Sequence, residues 1–166
     1  DELGGTGYFL HGTTVGLNSL LTRTGAVVGL LATRGFRDVL EIADESRFDQ
    51  YDINIVKTPP LIPRRHRFTV PERIDVHGAI RRPLDERAVA ELGKRLLGDG
   101  IETVAVALIH AYANNVHEQR IAAILAKICP GISVTLSSEV CPEAREYERT
   151  STAVANAYVR PLMSGY

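Results

Sequence analysis

The chain holds no tryptophan, a single methionine, two cysteines and few aromatic rings, 6% of its 166 residues, so its core must be built from aliphatic side chains. Cys129 and Cys141 belong to no Cys-x-x-Cys pair and no Cys/His cluster, which excludes a disulfide scaffold or a zinc module and suits a reducing cytoplasm. No apolar stretch reaches the ~18 residues a membrane span needs, and no basic start leads into an apolar signal core. The expectation is a soluble, cytoplasmic protein. A formal net charge of -1, with the basic residues scattered, implies no field for nucleic acid or a membrane surface. The GxxxxGK[ST] loop, the GxGxxG turn and the GxSxG elbow are all missing. Fixed-period repeats and low-complexity tracts are missing too. The chain has no initiating methionine and opens on Asp1-Glu2-Leu3-Gly4-Gly5-Thr6-Gly7, so it reads as an interior segment of a longer gene.

What is present has the length for one domain with one good core. Tyr8-Phe9-Leu10 reads as a strand entering the turn His11-Gly12-Thr13-Thr14, and a helix with Leu17, Leu20 and Leu21 leaves it, with Gly25 placed as its C-terminal cap. Val27 to Ala32 reads as a buried strand, completing a β–α–β unit and a parallel pair. A helix N-terminus exposes unpaired N–H groups, so this turn can hold a phosphate or carboxylate through Gly12, Thr13 and Thr14, with Asn18 nearby. The plainer reading is that Thr13 or Thr14 caps the helix. Next, Thr33-Arg34-Gly35 turns into a short helix carrying Phe36, Val39, Leu40 and Ile42. Arg34, Arg37 and Asp38 then stand at the strand's C-terminal end, the edge where open α/β sheets bind ligands.

Periodicity fails from Ala43 to Pro63, where Pro59-Pro60 and Pro63 punctuate an irregular but ordered segment. Phe68-Thr69-Val70 and Arg73 to Val76 alternate as half-exposed strands, with His77-Gly78 turning into Ala79 to Pro83; the pattern predicts an antiparallel hairpin lobe apart from the parallel sheet. Asp85 caps a helix with Val89, Leu92, Leu96 and Leu97 on its buried stripe. Thr103 to Ile109 reads as a central parallel strand, followed by a helix with Ile121, Ile124, Leu125 and Ile128 and the strand Ile132 to Leu136. A last helix runs from Pro142. Three units result: residues 1–42, 43–83 and 84–166, together an α/β fold with a mostly parallel sheet, flanking helices and a small antiparallel lobe.

Polar residues gather at three turns: His11/Thr13/Thr14, His110/Asn114/His117/Glu118, and Ser137/Ser138/Glu139 with Arg145, Glu146 and Arg149. In one parallel sheet such turns face one edge and could converge on a cleft. His110 and His117 are metal-ligand candidates, but their spacing is not the i, i+4 pair of the zinc proteases. Asn114 or Asn115 as the helix cap, with Glu118 closing a capping box if Asn115 is the cap, explains the same residues without a metal. Glu139, Arg145 and Arg149 could grip an anion through arginine forks, or lie on a solvated helix face laced by i, i+3 pairs.

HGTTVGLNSLLTRTGAVVGLLATRGFRDVLEI strongly resembles the hydantoinase A family: the ATP-dependent hydantoinases, the 5-oxoprolinases and related acetone and acetophenone carboxylase subunits. TPPLIPRRHRFTVPERIDVHGAIRRPLDE, VAVALIHAYANNVHE and SSEVCPEAREYERTSTAVANAYVRPL resemble that family's pieces in the same order. Departures are Gly16-Leu17, where alanine and a polar residue are common, Asn115 for proline, Ser138 for histidine and Cys141 for serine. The resemblance implies an actin/hexokinase-like ATPase fold and phosphorylation of an amide or carbonyl oxygen by ATP with Mg2+. It makes His11, Thr13, Thr14, Glu139, Arg145 and Arg149 catalytic candidates, Gly12, Thr13 and Thr14 nucleotide contacts, and Asn18, Arg34, Arg37 and Asp38 substrate contacts.

The family's aspartate–Gly–Gly–Thr phosphate loop is not in the chain, so the resemblance implies a segment that binds no nucleotide tightly by itself. Residues 1–42 would end the family's N-terminal region, and residues 84–166 would begin its main region. A cyclic amide or ketone is the implied substrate and a B-type subunit the implied partner. A non-catalytic reading has residues 43–83 docking that subunit, and a sugar-kinase-like enzyme is disfavoured by missing signatures.

Overall fold

A computed structural model describes residues 14–44 and 51–163. Its centre is a four-stranded, all-parallel sheet in the order β2-β1-β5-β6, where β1 is Val28–Thr33, β2 Arg67–Val70, β5 Thr103–Ala107 and β6 Ser133–Leu136. Both central strands are buried along their full length, as continuous apolar runs covered on two faces must be.

Alternation along the strands sorts their side chains by size. Leu31, Val104 and Val106 face a core closed by α3 (Glu86–Gly98) and α4 (Val116–Ile128) through Val89, Leu96, Ile121 and Leu125. Each of those aliphatic chains contributes about 1.5–3 kcal/mol when fully buried. Leu30, Ala105 and Ala107 face the other way, onto Ala153, Val154 and Ala157 of the long helix α6 (Glu146–Met163). Alanines on both partners let α6 lie close to the sheet. The helices α1 (Val15–Thr22) and α2 (Val39–Ile42) pack on α6, and α5 (Ser137–Val140) is one turn leading toward it.

Asp85 caps α3 as expected, its carboxylate accepting from the Ala88 N–H at 3.0 Å. Other expectations need correction. Phe68-Thr69-Val70 is no part of a separate hairpin: it lies in β2, paired with β1, and Phe68 and Val70 are buried. Only β3 (Arg73–Ile74) and β4 (Ile80–Arg82) form the antiparallel pair. β3 stops at Ile74 because the Asp75 carboxylate accepts from the N–H groups of His77 and Ala79, bending the chain into the turn where Gly78 takes φ 81°. α1 ends on Arg23 in the left-handed region rather than on Gly25, and Leu17 and Leu21 are exposed, leaving Leu20 half-buried. Gly25 serves another purpose, since a Cβ there would overlap the Tyr158 ring. The last helix begins at Glu146, not Pro142.

Candidate functional site at the carboxyl edge of the sheet

All four strands end on the same edge, and three buried ionisable side chains stitch their ends together. At the end of β1, the Thr33 hydroxyl donates to Glu72, just beyond β2, and accepts from the Ile109 N–H beyond β5 at 3.0 Å. The other oxygen of Glu72 meets His117 Nδ1, on the first turn of α4, at 2.7 Å. The neighbouring Glu118 is fully buried and accepts four bonds: from the Leu108 N–H at 2.9 Å, the Ser137 hydroxyl at 2.6 Å, and the Ser138 N–H and hydroxyl at 2.9 and 2.7 Å. A carboxylate offers four acceptor positions and no donor, so the side chain matches its donors in number and kind.

Glu118 therefore closes no capping box: Asn115, the N-cap of α4, makes no side-chain cap bond, and the preceding Asn114 accepts from the Val116 N–H at 3.1 Å. The capping box fails because the β6–α5 turn brings two serines within reach of the carboxylate. His117 is likewise committed to Glu72, and among the described residues no three His, Cys, Asp or Glu side chains are grouped to hold a metal ion.

On this floor stands a second group. Arg149, fully buried near the start of α6, donates to the carbonyls of Leu108 at 3.1 Å and Glu143 at 2.6 Å and to Glu146 Oε1 at 3.2 Å. The i, i+3 pair expected of a solvated face does form, but Arg149 lies inside. Its guanidinium sits 5.5 Å from the Tyr112 ring, and Tyr112 in turn meets His110 edge-on at 5.9 Å. His110 is a non-glycine residue at φ 55°, a conformation that costs about 1 kcal/mol. Its Nδ1 is buried, has no hydrogen bond, and lies 3.9 Å from Glu146 Oε1. The β3–β4 turn leans on this loop, with Asn114 Nδ2 donating to the Gly78 carbonyl at 2.8 Å.

The turns carrying His110, Glu118, Ser137, Ser138, Glu146 and Arg149 thus converge. Others do not join them. His11, Gly12 and Thr13 lie outside the described residues. Thr14 is the N-cap of α1 without a side-chain cap bond, and Asn18 Nδ2 reaches its hydroxyl at 3.4 Å. A Cβ on Gly16 would sit 4.0 Å from Val159 Cβ, so this end of α1 lies about 20 Å along α6 from Glu146.

Arg34 is exposed at the end of β1, its N–H donating to the Val70 carbonyl. Arg37 donates to the Arg64 carbonyl at 2.7 Å. Asp38 takes both arms of the Arg64 guanidinium, at 2.9 and 3.0 Å, which holds its carboxyl below the usual range. Glu139 is exposed, and exposed Arg145 pairs with Glu148 at 3.2 Å. Thr33, Glu72 and Tyr112 escaped the sequence reading. The signal, a hydroxyl or acid closing an otherwise apolar strand, is present in Thr33 and in Val70-Pro71-Glu72. Beside this group a cavity of about 610 Å³ opens between α1, the Pro59–Pro60 stretch and α6, lined by Leu20, Leu40, Pro60, Tyr147, Ser151 and Val154. Tyr147 and Ser151 lie on the same first turns of α6 that carry Glu146 and Arg149.

A parallel α/β sheet with a polar carboxyl edge defines a ligand-binding class of domain. A sequence profile described as the hydantoinase/oxoprolinase N-terminal region matches residues 4–129, and the chain belongs to that family. It is 38% identical over 159 residues to caprolactamase subunit alpha of Pseudomonas jessenii, covering 95% of this chain and 23% of that protein. It is 32% identical over 184 residues to 5-oxoprolinase of Saccharomyces cerevisiae, covering 93% and 14%. The solved ATP-dependent caprolactamase from Pseudomonas jessenii superimposes with a TM-score of 0.87 at 39% identity, over 93% of this chain and 23% of that one. A nucleotide-free acetone carboxylase superimposes with 0.81 at 26%, over 89% and 22%. The chain thus spans a quarter or less of these relatives' length. Both solved neighbours are described as ATP-dependent, in agreement with the ATPase-like fold expected.

Proposed function

We propose that this chain is the N-terminal part of an ATP-dependent hydrolase of a cyclic amide, of hydantoin or 5-oxoproline type, in which ATP phosphorylates the amide oxygen and water opens the ring. The observation that carries this reading is the 0.87 superposition on caprolactamase over nearly the whole chain. The carboxyl edge supports it: side chains already locked by buried hydrogen bonds position a reaction at little further entropic cost. We assign the phosphate loop and the Mg2+ ligands that such a reaction needs to residues beyond the described ones. ATP and its metal ion would therefore be held by the His11–Thr14 turn together with residues of the longer protein. The partner is a B-type subunit, in keeping with the subunit names of the caprolactamase and acetophenone carboxylase relatives. The compartment is the cytoplasm.

The test is ADP release by the full-length protein, co-expressed with a B-type subunit, in the presence of hydantoin, 5-oxoproline or caprolactam. Ring opening coupled to ADP release is expected. ATP consumption driven by acetone and bicarbonate, with every ring left intact, would overturn the hydrolase in favour of a ketone carboxylase.

A further inference from the structure

We propose that His110 and Glu146 form a carboxylate–imidazole dyad in which His110 Nε2 accepts a proton from the attacking water. The proposal rests on the cyclic-amide reading above and adds to it the proton acceptor. Three observations carry it.

The first is backbone geometry. His110 lies in the turn three residues beyond the end of β5, in the left-handed region at φ 55°, although glycine would hold that turn without strain. Neighbouring bonds over-determine the conformation: the His110 carbonyl accepts from the N–H groups of Ala113 at 3.0 Å and Asn114 at 3.3 Å. Strain retained this way is characteristic of residues that meet ligands. The second is the ring's polarity. Nδ1 is buried and faces Glu146 Oε1 at 3.9 Å, whereas the side chain as a whole is 22% exposed and Nε2 makes no hydrogen bond among the described residues. A carboxylate behind one nitrogen and an open second nitrogen is the arrangement of an oriented general base. The third is the fixed position of Glu146, whose Oε1 accepts from buried Arg149 at 3.2 Å while Arg149 is tied to the Leu108 and Glu143 carbonyls. The carboxylate cannot swing away without leaving that guanidinium short of a partner. At 3.9 Å the Glu146 contact is longer than a hydrogen bond, as catalytic contacts often are before substrate closes them.

In the step assigned to the dyad, the water oxygen bonds to the carbon of the O-phosphorylated amide and the carbon–nitrogen π pair moves onto the ring nitrogen. One water proton passes to the Nε2 lone pair, and the imidazolium faces the Glu146 carboxylate. The ring C–N bond then breaks as a lone pair of the new hydroxyl oxygen forms the C=O bond; the pair left on nitrogen takes the proton back from His110, which returns to neutral, and the hydroxyl proton passes to the amine. The open-chain product is an acyl phosphate, which a second water hydrolyses to the carboxylate and inorganic phosphate.

The experiment uses the full-length protein with its partner subunit. His110→Gln should lower kcat by about 10²–10⁴-fold with little change in KM, and added imidazole should restore part of the activity of His110→Ala. Glu146→Gln preserves shape but removes the charge that favours the imidazolium, so the acidic limb of the kcat profile should move to lower pH. An unchanged kcat in His110→Gln, or an unmoved limb in Glu146→Gln, overturns the dyad.

A readout free of catalysis uses [13Cε1]histidine-labelled protein. The resonance missing from His110→Gln should titrate in the wild type and titrate at lower pH in Glu146→Gln, and a resonance indifferent to both would sink the proposal. If the titration shifts as expected but no cyclic amide is opened by the wild type, the substrate reading falls and the dyad stands.

Discussion

Glu118 is the residue on which the candidate site most depends for its shape. Burying a carboxylate is costly unless its acceptor positions are filled, and here four donors from two strand ends fill them. Glu118→Gln turns one oxygen into a donor that faces donors, so the expected loss is about 2–4 kcal/mol in urea unfolding. Glu139→Gln, one turn into α5 and exposed, should stay within about 0.5 kcal/mol. Thr14→Ala separates two readings of the HGTT turn. Because its hydroxyl makes no cap bond, stability should change by no more than a few tenths of a kcal/mol. If the turn meets a ligand, as proposed, turnover of the full-length protein falls nonetheless; unchanged turnover would leave Thr14 a plain helix boundary. The sequence offers His11, Thr13 and Thr14 as a site by residue type alone, and it does not say how far apart α1 and Glu146 lie.

At the scale of elements, α3 was readable because its signals are local. Asp85 caps it and Val89 and Leu96 recur at helical spacing, so Asp85→Ala should cost about 1 kcal/mol by thermal or urea unfolding. The contact of α1 with α6 was not readable in this way. In sequence Gly25 stands where a helix would end, yet its lack of a side chain is needed by the Tyr158 ring, and the Ala26 N–H donates to the Tyr158 carbonyl at 3.1 Å. Gly25→Ala should therefore destabilise by about 1–3 kcal/mol through overpacking, measured the same way. β2 shows a different difficulty. Arg67 is buried, bonded to the Ile62 carbonyl at 3.0 Å and paired with Glu41 at 2.9 Å, so a charged residue occupies a strand covered on both sides. In sequence, Arg67-Phe68-Thr69-Val70 imitates the alternation of a half-exposed hairpin. The Ile62 carbonyl and the arrival of α2 with Glu41 together make burying the guanidinium tolerable.

At the scale of the whole molecule, pH acts through groups spread over several elements. Burial, assisted by Arg65, lowers the pKa of His66. The unfolded chain therefore takes up that proton before the folded one, and stability falls as pH drops through the unfolded value near 6.5. His66→Gln should flatten that part of a stability–pH curve. Asp38, Asp75 and Glu86 are held below their usual range by Arg64, the Ala79 N–H and Arg120 respectively, so a further loss is expected below about pH 4. The 166-residue chain alone should release no ADP above background in a coupled assay, because the proposed nucleotide contacts extend beyond it. Local order was determined by the sequence itself: that the runs of β1, β5 and β6 become parallel strands, where Asp85 starts a helix, and that polar residues follow the strands. Those features depend on side-chain period, caps and turn chemistry within a few residues. Tertiary structure decided which polar residues are interior. Glu72, Glu118, His117 and Arg149 differ from surface charges only in having partners from distant strands and helices, and a buried charge is stable only when folding brings those partners within hydrogen-bond reach.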